Sequence, residues 1–127
     1  MSRVVLDASA ALAAFAQEPG ADIVAAVLED SAISAVNVAE ICSKLVSRGL
    51  LQKEAEEASL NSARYIFPFD TVQALLSGTL IQQTRRFGLS LADRACLALA
   101  ITLKAPVYTT DKTWNKLNLD IEIRLIR

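Results

Sequence analysis

Short continuous apolar runs alternate along this chain with longer stretches whose apolar positions recur every three or four residues. The first pattern predicts buried strands and the second amphipathic helices. Arg3-Val4-Val5-Leu6 is such a run, and it breaks at Asp7. Ser9 stands where it would cap the alanine-rich helix that follows, which Pro19-Gly20 ends. Residues 21–29 set Ile23, Val24, Val27 and Leu28 on one helical face, and residues 32–34 read as a short strand. Ser34 or Asn37 opens the next helix, which carries Glu40, Ile41, Leu45 and Val46 and stops near Gly49. A charged helix covers residues 52–64, and Tyr65-Ile66-Phe67-Pro68-Phe69 is a third strand whose proline marks its end or an edge.

Asp70 is placed to cap a helix running toward Phe87-Gly88. Ser90-Leu91-Ala92-Asp93 has the spacing of a capping box, with aspartate replacing the usual glutamate. The helix it starts, through Lys104, is apolar nearly all round and so belongs in the centre of the molecule. A strand at residues 107–109, a short helix at 112–117 and a last strand at 121–126 complete the chain. Strands alternating with helices throughout predict an α/β fold: one domain over residues 1–127, three α/β/α layers, and a central, mostly parallel sheet covered by helices on both faces.

Composition narrows the chemistry. The chain has 127 residues, 53% of them hydrophobic, enough for one cored domain. Its net charge of −1 advertises no global field for nucleic acid, although a local basic surface needs none. There is no histidine, which removes Ser-His-Asp and Cys-His triads, histidine acid–base ribonuclease chemistry and histidine-ligated zinc. Cys42 and Cys96 lie far apart within apolar helical patterns, form no CxxC pair, and are expected as buried reduced thiols. The start Met-Ser-Arg has no signal-peptide layout and no apolar run approaches membrane-spanning length, so a cytoplasmic protein is expected, with no membrane partner.

Four carboxylates stand out against this background. Asp7 and Asp111 end expected strands, and open parallel sheets bind ligands just beyond such ends. Glu40 lies in an apolar helical turn, and Asp93 opens the central helix. Each also has a purely structural role open to it: a polar loop residue for Asp7, an i, i+4 pair of Glu40 with Lys44, and helix caps for Asp93 and Asp111. Gathered together, they would repel one another unless a cation were present, and an all-oxygen pocket suits Mg²⁺ or Mn²⁺. Such a pocket would polarise water against a phosphodiester without needing histidine.

Val4-Val5-Leu6-Asp7-Ala8-Ser9, Val38-Ala39-Glu40-Ile41, Leu89-Ser90-Leu91-Ala92-Asp93 and Val107-Tyr108-Thr109-Thr110-Asp111 resemble, in order and separation, the four blocks of PIN-domain nucleases. The resemblance spans essentially the whole chain, and the compact length is similar to VapC-type toxins of toxin–antitoxin pairs. It implies a metal-dependent endoribonuclease whose Mg²⁺ or Mn²⁺ is held by Asp7, Glu40, Asp93 and Asp111, with Ser9 and Thr109 as supporting hydroxyls. It further implies an RNA substrate, a cognate antitoxin protein and a homodimer. Trp114 departs from the phenylalanine that the family often has there.

Substrate contacts are less legible. Arg94 and Lys112 each directly follow a proposed ligand and head a set that includes Lys44, Arg48, Arg85, Arg86 and Lys116, against the alternative of solvated helix faces. Trp114 would either stack a base or, with Leu117 three residues on, anchor the last helix to the core. Two other functions remain open: a non-catalytic PIN-like binding module, and a Mg²⁺-dependent phosphoacceptor receiver domain using Asp70. The receiver pattern has adjacent acids after its first strand, whereas Asp7 is followed by Ala8.

Overall fold

The computed structural model describes residues 3–127; Met1 and Ser2, expected to lead straight into the first strand, lie outside the described residues. Elements follow in the order β1 (Val4–Leu6), α1 (Ala8–Phe15), α2 (Ala21–Val27), β2 (Ser31–Ser34), α3 (Ala35–Ser47), α4 (Gln52–Leu60) and β3 (Tyr65–Phe67). Then come α5 (Thr71–Thr79), α6 (Ile81–Thr84), α7 (Leu91–Leu103), β4 (Val107–Thr109) and β5 (Ile123–Leu125). Turns of 3-10 helix lie at Leu28–Asp30, Arg85–Phe87 and Lys112–Lys116.

The strands pair in the order β3-β2-β1-β4-β5, and every pair is parallel. Alternate residues of β1 face opposite ways. Val4 and Leu6 join a core with Ala10, Leu12, Val24, Ile41 and Leu45 from α1, α2 and α3. Val5 joins Ala32 and Val107 in a second core with Leu97, Leu99 and Trp114. Both sheet faces are therefore covered, which is why the strands read as unbroken apolar runs. Residues Ala95 to Ala100 of α7 are all buried, each large side chain among them adding about 1.5–3 kcal/mol of transfer free energy.

The chain builds β2 and β3 to one side of β1 and then crosses to build β4 and β5 on the other. The boundary between β1 and β4 is thus a topological switch point, where the carboxyl ends of parallel strands leave a crevice. Asp7 directly follows one of these strands, and Asp111 is the second residue after the other.

Several local expectations change. Asp7, not Ser9, caps α1: its backbone is extended and its Oδ1 accepts from the Ala10 N–H at 2.8 Å, leaving Ser9 in the first turn. Ser34 rather than Asn37 caps α3, accepting from the Val36 N–H at 3.2 Å. The charged helix stops at Leu60, and the helix expected from Asp70 to Phe87 is divided into α5, α6 and a 3-10 turn. Of the face drawn for α2, only Val24 is buried; Ile23 and Leu28 are exposed. Trp114 is fully buried, which excludes base stacking and leaves the anchoring role. Both cysteines are free, Cys96 buried and Cys42 only half-buried.

Candidate active site

At the switch point the structure opens a cleft of about 310 Å³ lined by Asp7, Ala8, Ser9, Glu40, Lys44, Asp93, Thr110 and Asp111. All four carboxylates singled out from sequence share this wall, each delivered by a different element.

Asp7 is the deepest of them, 5% exposed. Its Oδ1 accepts from Ser9 Oγ at 2.7 Å as well as from Ala10 N–H, and its Oδ2 accepts from Thr109 Oγ1 at 2.6 Å. Burial raises its pKa to about 6, and the neighbouring Asp93 adds to the rise; the three hydrogen bonds work in the opposite direction without cancelling it. Ser9 and Thr109 also meet each other at 3.3 Å and organise the fourth block: Thr110 N–H donates to Ser9 Oγ at 3.0 Å, and Asp111 N–H donates to Thr109 Oγ1 at 3.0 Å. The two hydroxyls thus tie the end of β1 to the loop after β4.

Asp93 forms the expected capping box. It donates its own N–H to Ser90 Oγ at 3.1 Å, and its Oδ2 accepts from Ser90 N–H at 2.9 Å. Partial burial raises its pKa, helped by the charges of Glu40 and Asp111, against the hydrogen bonds from Ser90. Asp111 caps the last 3-10 turn through Thr113, whose N–H and hydroxyl donate at 2.9 and 2.8 Å. Glu40 accepts from Asn37 Nδ2 at 3.3 Å and lies 3.6 Å from the Lys44 ammonium. The structural roles open to these residues are therefore real, and three of the four acids cap a helix or turn while still facing the cleft.

Two features of the site, Asn37 and Thr110, escape the sequence, which named Lys44 only as one of several candidate phosphate contacts. Asn37 is buried and bridges α3 to α7, donating to Ala92 O at 3.1 Å as well as to Glu40. Its signal was a lone amide in an apolar turn three residues before Glu40. Thr110 and Lys44 line the cleft, whereas Arg94 and Lys112 do not. Asp70 caps α5 by accepting from Gln73 N–H at 2.9 Å and lies outside the cleft, so it is no phosphoacceptor facing these acids. Cys96, one turn beyond Asp93, is held protonated by burial, with the charges of Asp7, Asp93 and Glu40 reinforcing this; it is no nucleophile.

The cleft-lining donors are oxygen, apart from the Lys44 amine, which suits a hard divalent cation such as Mg²⁺ or Mn²⁺. Burial does most to raise the pKa of Asp7 and Asp93, and the neighbouring carboxylates add to it, a combination that a bound cation would offset. Among the described residues, however, no three such side chains are drawn close enough to hold an ion as they stand.

The PIN domain family profile matches residues 4–118. The chain belongs to the PIN domain family. No curated protein sequence matches it. Among solved structures, this PIN domain is similar to a chain of VapBC2 from Rickettsia felis bound to a DNA fragment from their promoter, at 17% identity and TM-score 0.72, covering 96% of this chain and 97% of that one. DNA-bound VapBC from Salmonella typhimurium gives 15% identity and TM-score 0.72 with full coverage of both chains. FitAcB from Neisseria gonorrhoeae gives 23% identity and TM-score 0.66, covering 94% and 95%. At these identities the likeness is one of fold, and it extends over nearly the whole PIN domain.

Proposed function

We propose that this PIN domain is a metal-dependent endoribonuclease, the toxin of a toxin–antitoxin pair, with Asp7, Glu40, Asp93 and Asp111 holding Mg²⁺ or Mn²⁺. The observation that carries the proposal is the convergence of four carboxylates from four separate elements on one open cleft at the switch point. A divalent ion bound there supplies Lewis-acid activation of water and stabilises the leaving oxygen of a phosphodiester. The chain's own part is to hold the site in shape. Ser9 and Thr109 fix the Asp7 carboxylate and the loop bearing Asp111, and Asn37 fixes Glu40 against α7.

Support for an antitoxin partner comes from the fold likeness to chains of VapBC complexes. It also comes from an apolar groove of about 300 Å³ whose lining includes Phe15, Val24, Leu28, Ile41 and Leu45. Val72 and Leu75, both 70% exposed on one face of α5, give a homodimer apolar surface to draw on. Within the described residues no helix is long and apolar enough to cross a membrane, and a cytoplasmic location is part of the same proposal.

The test is incubation of wild type and Asp7→Asn with total RNA and transfer RNA in Mg²⁺, Mn²⁺ or EDTA. Cleavage by wild type alone, and only with metal, is expected. One observation favours a binding-only module instead: the acids as they stand are spread rather than closed on a point. Antitoxin binding with no cleavage of any RNA pool in either metal would establish that reading.

A further inference from the structure

The cleft contains one basic side chain, Lys44, and it is not one of the two that directly follow an acid in the sequence. Lys112 lies on the exposed final turn and Arg94 is half-buried, its carbonyl taking a 3.4 Å hydrogen bond from Ser77 Oγ; neither lines the cleft. Lys44 stands one helical turn beyond Glu40, in the last turn of α3, with its ammonium 3.6 Å from Glu40 Oε2. The Lys44 side chain is 48% exposed and that of Glu40 25%, so the ammonium sits nearer the mouth and the carboxylate deeper.

Stability does not account for this placement. A half-exposed i, i+4 pair contributes only a few tenths of a kcal/mol. Its electrostatic consequence is larger, because four carboxylates would repel an approaching phosphodiester and one ammonium at the mouth opposes that field. Glu40 has divided loyalties: Asn37 holds Oε1 while Lys44 faces Oε2. If Oε2 is given to a cation, Lys44 loses the one acidic partner it has among the described residues. A compact point charge on a flexible stem can then follow a phosphate oxygen.

Resting on the nuclease function above, we propose that Lys44 is the phosphate-binding residue of the cleft, paired with Glu40 at rest and with a non-bridging oxygen of the RNA backbone when substrate enters. The probe is a fluorescein-labelled 12-nucleotide RNA of mixed sequence, titrated by anisotropy in Ca²⁺ over a range of KCl, with wild type, Lys44→Gln and Lys44→Arg. Lys44→Gln is expected to weaken binding about five- to tenfold at moderate salt and to flatten the slope of log affinity against log salt by about 0.7. Lys44→Arg should restore the slope. In Mg²⁺ cleavage assays Lys44→Gln should raise KM with kcat little changed.

An exposed side chain leaves folding intact, which melting curves check. An unchanged slope and KM in Lys44→Gln, beside a wild type that binds and cuts, overturns the Lys44 assignment alone. A wild type that neither binds nor cuts overturns the nuclease function and this assignment with it.

Discussion

Asp7 is asked to do two things that conflict. Its carboxylate caps α1 and receives three hydrogen bonds, yet it is only 5% exposed and its pKa rises to about 6. The folded protein therefore keeps this proton up to about pH 6, whereas the unfolded chain releases it near pH 4. Between those values the folded state binds more protons, so stability falls as pH rises through the window, and the loss is complete above it. In EDTA, Asp7→Asn should remove that fall and be more stable than wild type at pH 7.5 by up to about 3 kcal/mol. Urea unfolding at pH 4, 5, 6 and 7.5 checks this; parallel curves for the two proteins would refute it. Asn37 is a second residue with two jobs. Asn37→Ala should cost about 1–2 kcal/mol from the lost bond across α3 and α7, and lower Mn²⁺ affinity about 10- to 100-fold by loosening Glu40. Calorimetric titration with Mn²⁺ measures the second effect, and unaltered affinity would leave Asn37 a purely structural residue.

At the scale of elements, local signals were most legible where one side chain decides the outcome. Ser90 and Asp93 close the capping box their spacing announces, and Asp70 caps α5 as expected. Asp7 was misread as merely ending a strand because an aspartate can terminate β1 and cap α1 in the same residue, which leaves no loop between them. The break between α5 and α6 was invisible, since Gly78 and Thr79 weaken a helix without forbidding it. Turns involving distant chain were also beyond sequence. Gly20 adopts φ +99°, and a Cβ there would lie 2.7 Å from both Cγ1 and the carbonyl oxygen of Ile126, more than a hundred residues away. Gly49 has φ +100° with open space around it. Gly20→Ala should therefore destabilise by about 2–4 kcal/mol and Gly49→Ala by only about 1 kcal/mol. Urea midpoints at unchanged slope separate the two, and equal losses would show that backbone strain alone matters at both.

For the whole molecule, strand–helix alternation sufficed to indicate a parallel three-layer sheet, because both-face burial leaves unbroken apolar strands such as Val4-Val5-Leu6. The order β3-β2-β1-β4-β5 followed from nothing local; it depends on how long connections cross the sheet. The four acids were legible as a set, but Lys44 was not distinguished from its basic neighbours, since only the turn of α3 decides which of them faces the cleft. An ion in that cleft would join groups from β1's end, α3, α7 and the loop after β4. Mn²⁺ should accordingly raise the melting temperature, by the equivalent of about 2.7 kcal/mol at a hundredfold excess over Kd, and EDTA should reverse it. A melting curve indifferent to millimolar Mn²⁺ would count against the site.

Capping has one more consequence, for what happens if this chemistry falls out of use. Asp93 closes the capping box of α7 and Asp111 caps the last 3-10 turn, so folding alone gives a lineage reason to keep them, whereas asparagine at position 7 would cap α1 and remove the buried charge. Glu40 begins nothing; its ties are to Asn37 and Lys44. If the proposed cleavage fell out of use, descendants should erode first at Glu40 and Asp7, while Asp93 and Asp111 linger as architectural fossils. Asp93 and Asp111 intact would then say little about a relative's activity, and the fate of Glu40 and Asp7 would say a great deal.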